Sequence, residues 1–380
     1  MMNLAVKEKI DKIRKKFGIE GTVKIIKTVT SGHINDTYMV AMNMGRGVVK
    51  KYIFQAINTL VFQNPEAVMN NIIAVTHFMR EKLESKGICP DRRILHFHKV
   101  VDDDKYYCID NNNHFWRIYD FVDNSCSYDE TDNPCMIYNA GVAFGDFQRL
   151  LSDFPIERLT ETIPYFHNTV ERFSQLEKAI YEDKMGRVES VAKEIEFYRA
   201  RAEHANHLID LQNSGFLPTR VTHNDTKCNN VLIDNQTDEA ICLIDLDTVM
   251  PGLSAFDFGD AIRSCTNTAA EDERDLEKVH FSITNFEAFT KGFIGASGGF
   301  FTEHEVDNMV WGARLMTLEC GSRFLADYLN GDVYFKTDRS GHNLDRARTH
   351  IKLLTEMEEQ LSVLEEIVQR EAVKAVNIQN

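Results

Sequence analysis

The first third of the chain alternates short apolar, β-branched runs with turn residues, a pattern that predicts β-strands. Apolar positions at helical spacing over 3–17 predict a helix that precedes these strands. Asn64 followed by Pro65 predicts the start of a second helix, which we expect to end near Lys86. The pattern therefore predicts a sheet of about five strands with one inserted helix. Strands are predicted at 23–30, 36–43, 48–54, 94–101, 105–110 and 114–122.

From Pro134 onward apolar residues recur with helical spacing, which predicts a mainly helical remainder. The exception is 218–249, where short apolar runs alternate with polar turns and predict a small β insert. We therefore expect an α+β protein of two lobes, with a small antiparallel β-rich lobe over 1–122 and a larger helical lobe over 123–380. Helices are predicted at 134–151, 166–181, 188–213, 271–292, 303–330 and 341–369.

Composition narrows the class of protein. The 380 residues include 43 Lys and Arg against 58 Asp and Glu, a formal charge of −15. This acidic balance argues against nucleic acid as a partner, because phosphate backbones require a basic surface. The eight cysteines form no C-x-x-C pair, which favours reduced thiols over a disulfide framework or a zinc site. No run approaches ~18 apolar residues, so we expect a cytoplasmic protein with no membrane partner.

The segment from Val221 to Asp247 carries the most specific chemistry. His223, Asp225 and Asn230 form H-x-D-x-x-x-x-N, and a second apolar strand then ends in Asp245. Phosphoryl transfer requires an oriented hydroxyl nucleophile and divalent metal that neutralises the phosphates. A carboxylate suits the first task, and an amide oxygen with a second carboxylate suits Mg²⁺. The spacing therefore predicts a kinase-type site.

This motif resembles the aminoglycoside phosphotransferase/choline kinase family, a branch of the protein-kinase-like fold. The resemblance covers about 25–360, and its outer strings are similar to the branch that phosphorylates the anomeric C1 hydroxyl of N-acetylglucosamine and N-acetylgalactosamine. Those strings are SGHINDTY (31–38), NPEAVM (64–69), WRIYDF (116–121), IPYFHNT (163–169), HNDTKCNNV (223–231), IDLDTVMPGL (244–253), FDFGDAIR (256–263) and RFLADYLNGDVYFK (323–336).

The resemblance implies a role for individual residues. It implies that Asp225 is the catalytic base and that Asn230 and Asp245 ligate Mg²⁺. An arginine fork suits sugar hydroxyls and a tyrosine ring offers an apolar face with a polar tip, although helix packing would account for such residues equally well. The residues implied as substrate contacts are Arg323, Tyr334 and His33.

The nucleotide site departs from the family pattern. Gln55 stands where many relatives have a basic residue on the third strand, so either Lys50 or Lys51 replaces it, or the site uses an amide donor and depends more on metal. Glu66, the nearest acid on the following helix, lies in the first turn, where it also acts on the helix dipole. The residues implied as cofactor contacts are Ser31, Gly32, Gln55, Tyr119 and Phe121.

The resulting hypothesis is an ATP- and Mg²⁺-dependent kinase of a sugar hydroxyl, acting as a monomer or weak homodimer. One alternative is a kinase of another small acceptor, such as a different sugar, an amino alcohol or an aminoglycoside. A cationic acceptor is disfavoured by Arg323. The other alternative is a catalytically silent binding module, which the altered position Gln55 favours and the intact motif around Asp225 opposes.

Overall fold

The computed structural model describes residues 4–29, 34–128 and 133–377. These residues form two compact units. The first comprises 4–29, 34–128, 157–163 and 232–250, and the second comprises 133–156, 164–231 and 251–377. The boundary predicted after residue 122 stays a prediction.

The strands are β1 (Thr22–Val29), β2 (Asp36–Gly45), β3 (Val48–Ile57), β4 (Cys108–Ile109), β5 (Phe115–Asp120), β6 (Ser125–Cys126), β7 (Arg220–Thr222), β8 (Val231–Asp234), β9 (Ala240–Leu243) and β10 (Met250–Gly252). The helices are α1 (Leu4–Lys16), α2 (Pro65–Ser85), α3 (Pro134–Leu150), α4 (Thr169–Glu182), α5 (Ala192–Arg199), α6 (His207–Asn213), α7 (Ser254–Cys265), α8 (Ile283–Ser297), α9 (Glu303–Asp307), α10 (Met309–Asn330), α11 (His342–Glu358) and α12 (Leu361–Asn377).

The first unit is built on a five-stranded antiparallel sheet in the order β1-β2-β3-β5-β4. Alternating side chains of its strands form an apolar layer, in which Phe54 and Ile118 are completely buried. Helix α1 covers this layer with Ile10 and Ile13, which share one face of the helix. The predicted five-stranded sheet is confirmed.

The predicted hairpin at 94–101 and 105–110 is wrong in its pairing. Phe97 forms a bridge with Tyr119 of β5, and β4 pairs with the same strand further along. The two pieces therefore form one interrupted edge along β5, separated by a loop. Apolar residues within 94–101 produced the strand signal, but the structure uses only the bridge at Phe97.

Helix α2 begins where the sequence predicts. Asn64 Oδ1 accepts a hydrogen bond from the Ala67 N–H, and Pro65 occupies the first turn, where its missing N–H has no cost. Within the helix, Asn71 is 1% exposed and donates to the backbone oxygens of Thr160 and Val249. The segments 157–163 and 232–250 of the first unit are therefore each hydrogen-bonded to α2.

The second unit is helical, and its helices approach closely through glycines. A Cβ atom at Gly141 or Gly145 of α3 would clash with the backbone of Phe289 or Phe293 in α8. The aromatic rings of α8 pack around Phe258 of α7, which is fully buried. None of the helices in the described part of the chain combines the length and apolarity that a bilayer span requires.

Several predicted helices are shorter or interrupted. The range predicted at 188–213 is divided into α5 and α6 by 3₁₀ turns, and 271–292 is helical only from Ile283 apart from one turn. Asn308 separates α9 from α10. Long apolar periodicity does not report these breaks, because a turn of 3₁₀ helix preserves nearly the same spacing.

Candidate functional site

The loop after β7 holds two predicted site residues within hydrogen-bond distance. Asn230 is 6% exposed, and its Nδ2 donates to Asp225 Oδ2 at 3.0 Å and to the Asp225 backbone oxygen at 2.8 Å. Because the amide nitrogen is committed to Asp225, Oδ1 is the Asn230 atom suited to a hard cation. The structure therefore brings together the predicted base and one predicted metal ligand.

A cation lies beside the predicted base. Lys227 Nζ is 3.5 Å from Asp225 Oδ1, and this carboxylate raises the pKa of Lys227. A charge here is suited to a transferring phosphoryl group. No role was predicted for Lys227, although it lies inside the motif.

The loop that contains Asp225 is hydrogen-bonded to a buried carboxylate. Asp257 of α7 is 0% exposed and accepts the backbone N–H groups of His223 at 2.9 Å and Asn224 at 2.8 Å. Gln148 donates to it at 2.6 Å. Burial raises the pKa of Asp257, while these donors oppose the rise. Asp257 therefore fixes the backbone immediately before Asp225.

A neighbouring carboxylate continues this anchor. Asp260 accepts the backbone N–H of Thr226 at 2.9 Å and pairs with Arg263 Nη2 at 2.7 Å. Burial opposes ionisation of Asp260, but the charges of Arg263 and Lys227 hold its pKa below the usual range. Two side chains of one helix thus bind the backbone on both sides of Asp225.

The loop also contains a disulfide. Cys228 is bonded to Cys265 at the end of α7, so the preference for reduced thiols over disulfides is wrong for this pair, whereas the other six cysteines, all in the described ranges, are free thiols. The two residues are 37 positions apart and form no spacing motif. They meet because α7 leads back to the loop, which the sequence pattern does not encode.

The predicted metal ligand Asp245 has an unusual backbone. Its φ is 58° and its ψ is 55°, in the left-handed region that non-glycine residues seldom occupy. Such strain persists where the surrounding structure imposes it, commonly at functional sites. The turn that follows presents Asp247, whose side chain is 2% exposed.

Asp247 is held by two side chains of the first unit. Its Oδ2 accepts Asn35 Nδ2 at 2.6 Å, and its Oδ1 lies 2.5 Å from Arg117 Nη1. The Oδ1 contact is an ion pair between two buried side chains. Arg117 therefore neutralises the Asp247 carboxylate within the first unit.

Gln55 lies directly opposite Arg117 in the sheet. Gln55 Oε1 accepts Arg117 Nε at 2.9 Å and Nη2 at 2.6 Å, and Gln55 Nε2 donates to Thr37. Burial lowers the pKa of Arg117, but Asp247 more than compensates and the net pKa is raised. Arg117 thus supplies a buried cation next to the position where relatives have a basic residue, a possibility that the sequence analysis missed.

The two lysines expected to replace a basic residue at Gln55 lie at the surface. Lys50 is exposed, and Lys51 pairs with Asp123, with both of these side chains largely exposed. Glu66 lies 4.0 Å from Lys105 at the surface. Neither contact resembles the buried pair of Arg117, so charge at this part of the sheet comes from β5 and not from β3.

The predicted adenine contacts lie in and after β5. The Tyr119 side chain is half-buried, and its desolvation raises its pKa. The Phe121 N–H donates to the Lys51 oxygen at 3.2 Å, and the Asp120 N–H donates to the His96 oxygen at 3.1 Å. These two backbone donors are therefore used within the sheet. Three other predicted contacts, Ser31, Gly32 and His33, lie outside the described residues.

Arg323 and Tyr334 line one cavity of about 500 Å³ in the second unit. The Arg323 guanidinium lies 5.8 Å from the Tyr334 ring centre and 5.5 Å from that of Phe335. Arg172 also lines the cavity, and its Nε is buried with no hydrogen-bond partner among the described residues. Burial and the charge of Arg323 lower the pKa of Arg172. The cavity is therefore electropositive on this side.

A buried pair links the cavity wall to the loop. His167 Nδ1 lies 3.2 Å from Glu319 Oε1, and His167 Nε2 lies 3.2 Å from the Asn224 backbone oxygen. Glu319 is 2% exposed and also accepts Thr169 Oγ1 at 3.0 Å. Arg323 follows Glu319 by one helical turn on α10. The cavity and the loop around Asp225 are thus parts of one hydrogen-bonded framework.

Comparisons with known proteins identify the family and the fold. A family model described as a phosphotransferase enzyme family matches residues 25–287. An amicoumacin kinase solved with AMP-PNP and Ca²⁺ is 12% identical, with a TM-score of 0.58 over 95% of this chain and 94% of the other. A spectinomycin phosphotransferase solved with ADP and spectinomycin is 13% identical, with a TM-score of 0.54 over 96% and 98%.

An ethanolamine kinase from Plasmodium vivax is 14% identical, with a TM-score of 0.51 over 86% of this chain and 82% of that one. At such low identities the likeness concerns the fold alone. The expected α+β fold of the protein-kinase-like type, with a small antiparallel sheet and a mainly helical remainder, is confirmed.

Proposed function

Because this chain belongs to the phosphotransferase enzyme family, we propose that it transfers the γ-phosphoryl group of ATP to a hydroxyl of a small molecule. The observation that carries the proposal is the anchored loop in which Asn230 is hydrogen-bonded to Asp225. Phosphoryl transfer needs little covalent assistance and depends on orientation and charge. A loop whose backbone is fixed by Asp257 and Asp260 supplies that orientation.

Each residue has a separate task in this proposal. Asp225 accepts the proton of the attacking hydroxyl, and Lys227 stabilises negative charge next to it. Asn230 Oδ1 and Asp245 would hold Mg²⁺, which would neutralise the phosphates. Arg117 pairs with the buried Asp247 carboxylate and holds it in place.

The remaining nucleotide contacts are backbone groups and one side-chain amide. Backbone groups of Ser31 and Gly32 cover the phosphates, and Gln55 contributes its amide, which is fixed by Arg117. Backbone atoms near Tyr119 and Phe121 contact adenine through groups other than the N–H of Phe121, which the sheet already uses.

The proposed acceptor is an N-acetylhexosamine, phosphorylated on its anomeric hydroxyl. Arg323 and Tyr334 in the second-unit cavity contact the sugar, together with His33. No ion pair of Arg323 is present among the described residues, which leaves its donors for an uncharged polyol or an N-acetyl oxygen. Arg172 adds a second positive charge, which disfavours a cationic aminoglycoside or amino alcohol.

The test of the base uses Asp225→Asn. We expect turnover to fall by several orders of magnitude while ATP binding, measured by calorimetry, is preserved, because only the proton acceptor is lost. Asp210→Asn, which changes an exposed carboxylate on α6, serves as the matched control and should retain wild-type turnover. Turnover of Asp225→Asn near that of the control would refute the assignment.

The acceptor is tested separately. Purified protein is incubated with ATP and Mg²⁺ and either N-acetylglucosamine, N-acetylgalactosamine, ethanolamine or an aminoglycoside, and the product is identified by phosphorus NMR. An anomeric phosphate would support the sugar assignment. Phosphorylation of an amine-bearing acceptor alone would refute it but leave the kinase proposal intact. Absence of transfer to every acceptor, with ATP still bound, would favour the binding-module alternative.

A further inference from the structure

Two histidines and an aspartate converge on the edge of the first-unit sheet. The His98 N–H donates to the Ile118 oxygen at 2.9 Å, and the Asp120 N–H donates to the His96 oxygen at 3.1 Å. Phe97 forms the antiparallel bridge with Tyr119 between these bonds. His96 therefore lies opposite Asp120, and His98, two residues on, shares the same face. The ladder fixes all three side chains from rigid backbone.

The side chains meet at short distances. His96 Nδ1 lies 2.8 Å from Asp120 Oδ2, and His98 Nε2 lies 2.9 Å from Asp120 Oδ1. The candidate ligand atoms of the three residues all lie within 4.8 Å of one another. Tetrahedral zinc ligands at ~2.1 Å from the ion are ~3.4 Å apart, so an outward movement of about half an ångström admits a cation.

The donor set selects a class of ion. Two imidazole nitrogens and one carboxylate suit Zn²⁺ and other first-row divalent ions, whereas Mg²⁺ prefers oxygen ligands. His96 and Asp120 are about half exposed, so the site is accessible and leaves positions for water. Lys99, the residue after His98, pairs with Asp104.

This cluster is separate from the proposed phosphoryl-transfer residues. Side chains alternate along β5, so Asp120 and Ile118 lie on one face, while Arg117 and Tyr119 lie on the other. Arg117 is the residue that binds Asp247. The histidine cluster therefore lies on the opposite face of the sheet from the Arg117–Asp247 pair.

A second group of potential metal ligands in the described residues is less suited to an ion. Glu271, Cys320 and His350 lie together in the second unit. Arg263 Nη1 is 3.0 Å from Glu271 Oε1 and 3.4 Å from His350 Nε2. A guanidinium thus already occupies the position between these ligands, and a divalent ion would be repelled.

We propose that His96, His98 and Asp120 form a binding site for a transition-metal ion of the Zn²⁺ type, with water completing the coordination. The ion clamps the 96–98 segment to the end of β5. The site is independent of the proposed kinase activity, since none of its three ligand side chains takes part in the proposed phosphoryl transfer.

The experiment titrates the untagged, metal-free full chain with Zn²⁺ by calorimetry in excess Mg²⁺, which occupies oxygen-rich sites. We expect one Zn²⁺ per chain in the wild type. His98→Gln and Asp120→Asn should each weaken binding more than ~10-fold, since even residues that only support ligands have effects of that size. Bound Zn²⁺ should raise the Tm of the wild type and not that of either variant.

His114→Gln is the matched control. His114 is also half exposed and also contacts a carboxylate, since its Nδ1 lies 3.2 Å from Asp110 Oδ2, but it has no second histidine partner in the described cluster. It should bind Zn²⁺ like the wild type. His96→Gln, at a more exposed position than His98, provides a variant whose folding is less at risk, and circular dichroism verifies the fold of each.

The proposal is overturned if the wild type shows no saturable Zn²⁺ binding, or if His98→Gln or Asp120→Asn binds as the wild type does. Equal loss in His114→Gln would also overturn it. The visible spectrum of bound Co²⁺ identifies the ligand types independently. Visible ligand-field bands without a sulfur charge-transfer band would support imidazole and carboxylate ligands. A sulfur band that disappears in Cys320→Ser would place the ion in the other cluster and refute the proposal.

Discussion

Replacing Asp257 by Asn tests whether the loop around Asp225 is held by α7. The carboxylate accepts two backbone N–H groups and one side-chain amide, and it is completely buried. Asparagine has the same shape but presents one oxygen and one NH₂ group. At least one N–H group that donates to Asp257 must then face the NH₂ group. Fewer hydrogen bonds are lost when the NH₂ group replaces Oδ1, because Oδ1 accepts only the Asn224 N–H.

The magnitude follows from these contacts. Loss of one hydrogen bond to a charged acceptor costs about 1.5–3 kcal/mol, and the orphaned backbone N–H remains buried. Removal of a desolvated charge offsets part of the cost, since burial already raises the pKa of Asp257. We therefore expect a stability loss of about 2 kcal/mol. A displacement of the residue next to Asp225 by about 1 Å would lower turnover by about 100-fold.

Three measurements separate stability from positioning. Thermal unfolding gives the stability change, steady-state kinetics well below the Tm give turnover, and hydrogen exchange by mass spectrometry reports the loop amides directly. The His223 and Asn224 amides should lose protection in Asp257→Asn. Asp104→Asn, which removes a carboxylate from the exposed pair with Lys99, should change none of the three by much. Wild-type turnover in Asp257→Asn, with the loop amides exposed, would refute the reasoning.

Three further predictions concern other buried or cavity residues. Arg117→Met leaves Asp247 buried without its ion pair and should cost about 3–5 kcal/mol in thermal unfolding; a cost below 1 kcal/mol would contradict a strong pair. Arg323→Ala should raise the KM for the acceptor much more than that for ATP, and equal increases would remove Arg323 from the acceptor site. Burial lowers the pKa of His350 to about 4 from 6.5, so its contribution to stability is full above pH 6.5 and declines as the pH falls towards 4, by up to about 3 kcal/mol. His350→Gln should flatten this acid-side slope in pH-dependent Tm measurements, and an unchanged slope would contradict the assignment.

Local signals predicted much of the fold. The β-branched runs predicted β1, β2, β3 and β5, and the Asn64–Pro65 pair predicted the start of α2. These features depend on neighbours in the sequence, through strand propensity and capping. Where tertiary contacts decide, the prediction failed. The 94–101 segment forms a single bridge to β5, because His96 and His98 bond to that strand, whereas only Val100 bonds to the adjacent run, at the Lys105 oxygen.

The candidate site shows the same division. The H-x-D-x-x-x-x-N spacing placed Asp225 and Asn230 in one loop, and five residues of chain suffice to bring them into contact. That Arg117 supplies the buried cation beside Gln55 was not predictable from local patterns, because the two residues are 62 positions apart and meet only through strand pairing. The disulfide of Cys228 arises in the same way.

By itself, the sequence determined the fold class, the order of the principal elements and the motif that carries the chemistry. Each of these is encoded in spacing and propensity over fewer than about 20 residues. Only the tertiary structure decided which distant side chains support that motif, from Asp257 under the loop to Asp120 between two histidines. Such partners are selected by how strands pair and helices pack, and their identity leaves no periodic pattern along the chain.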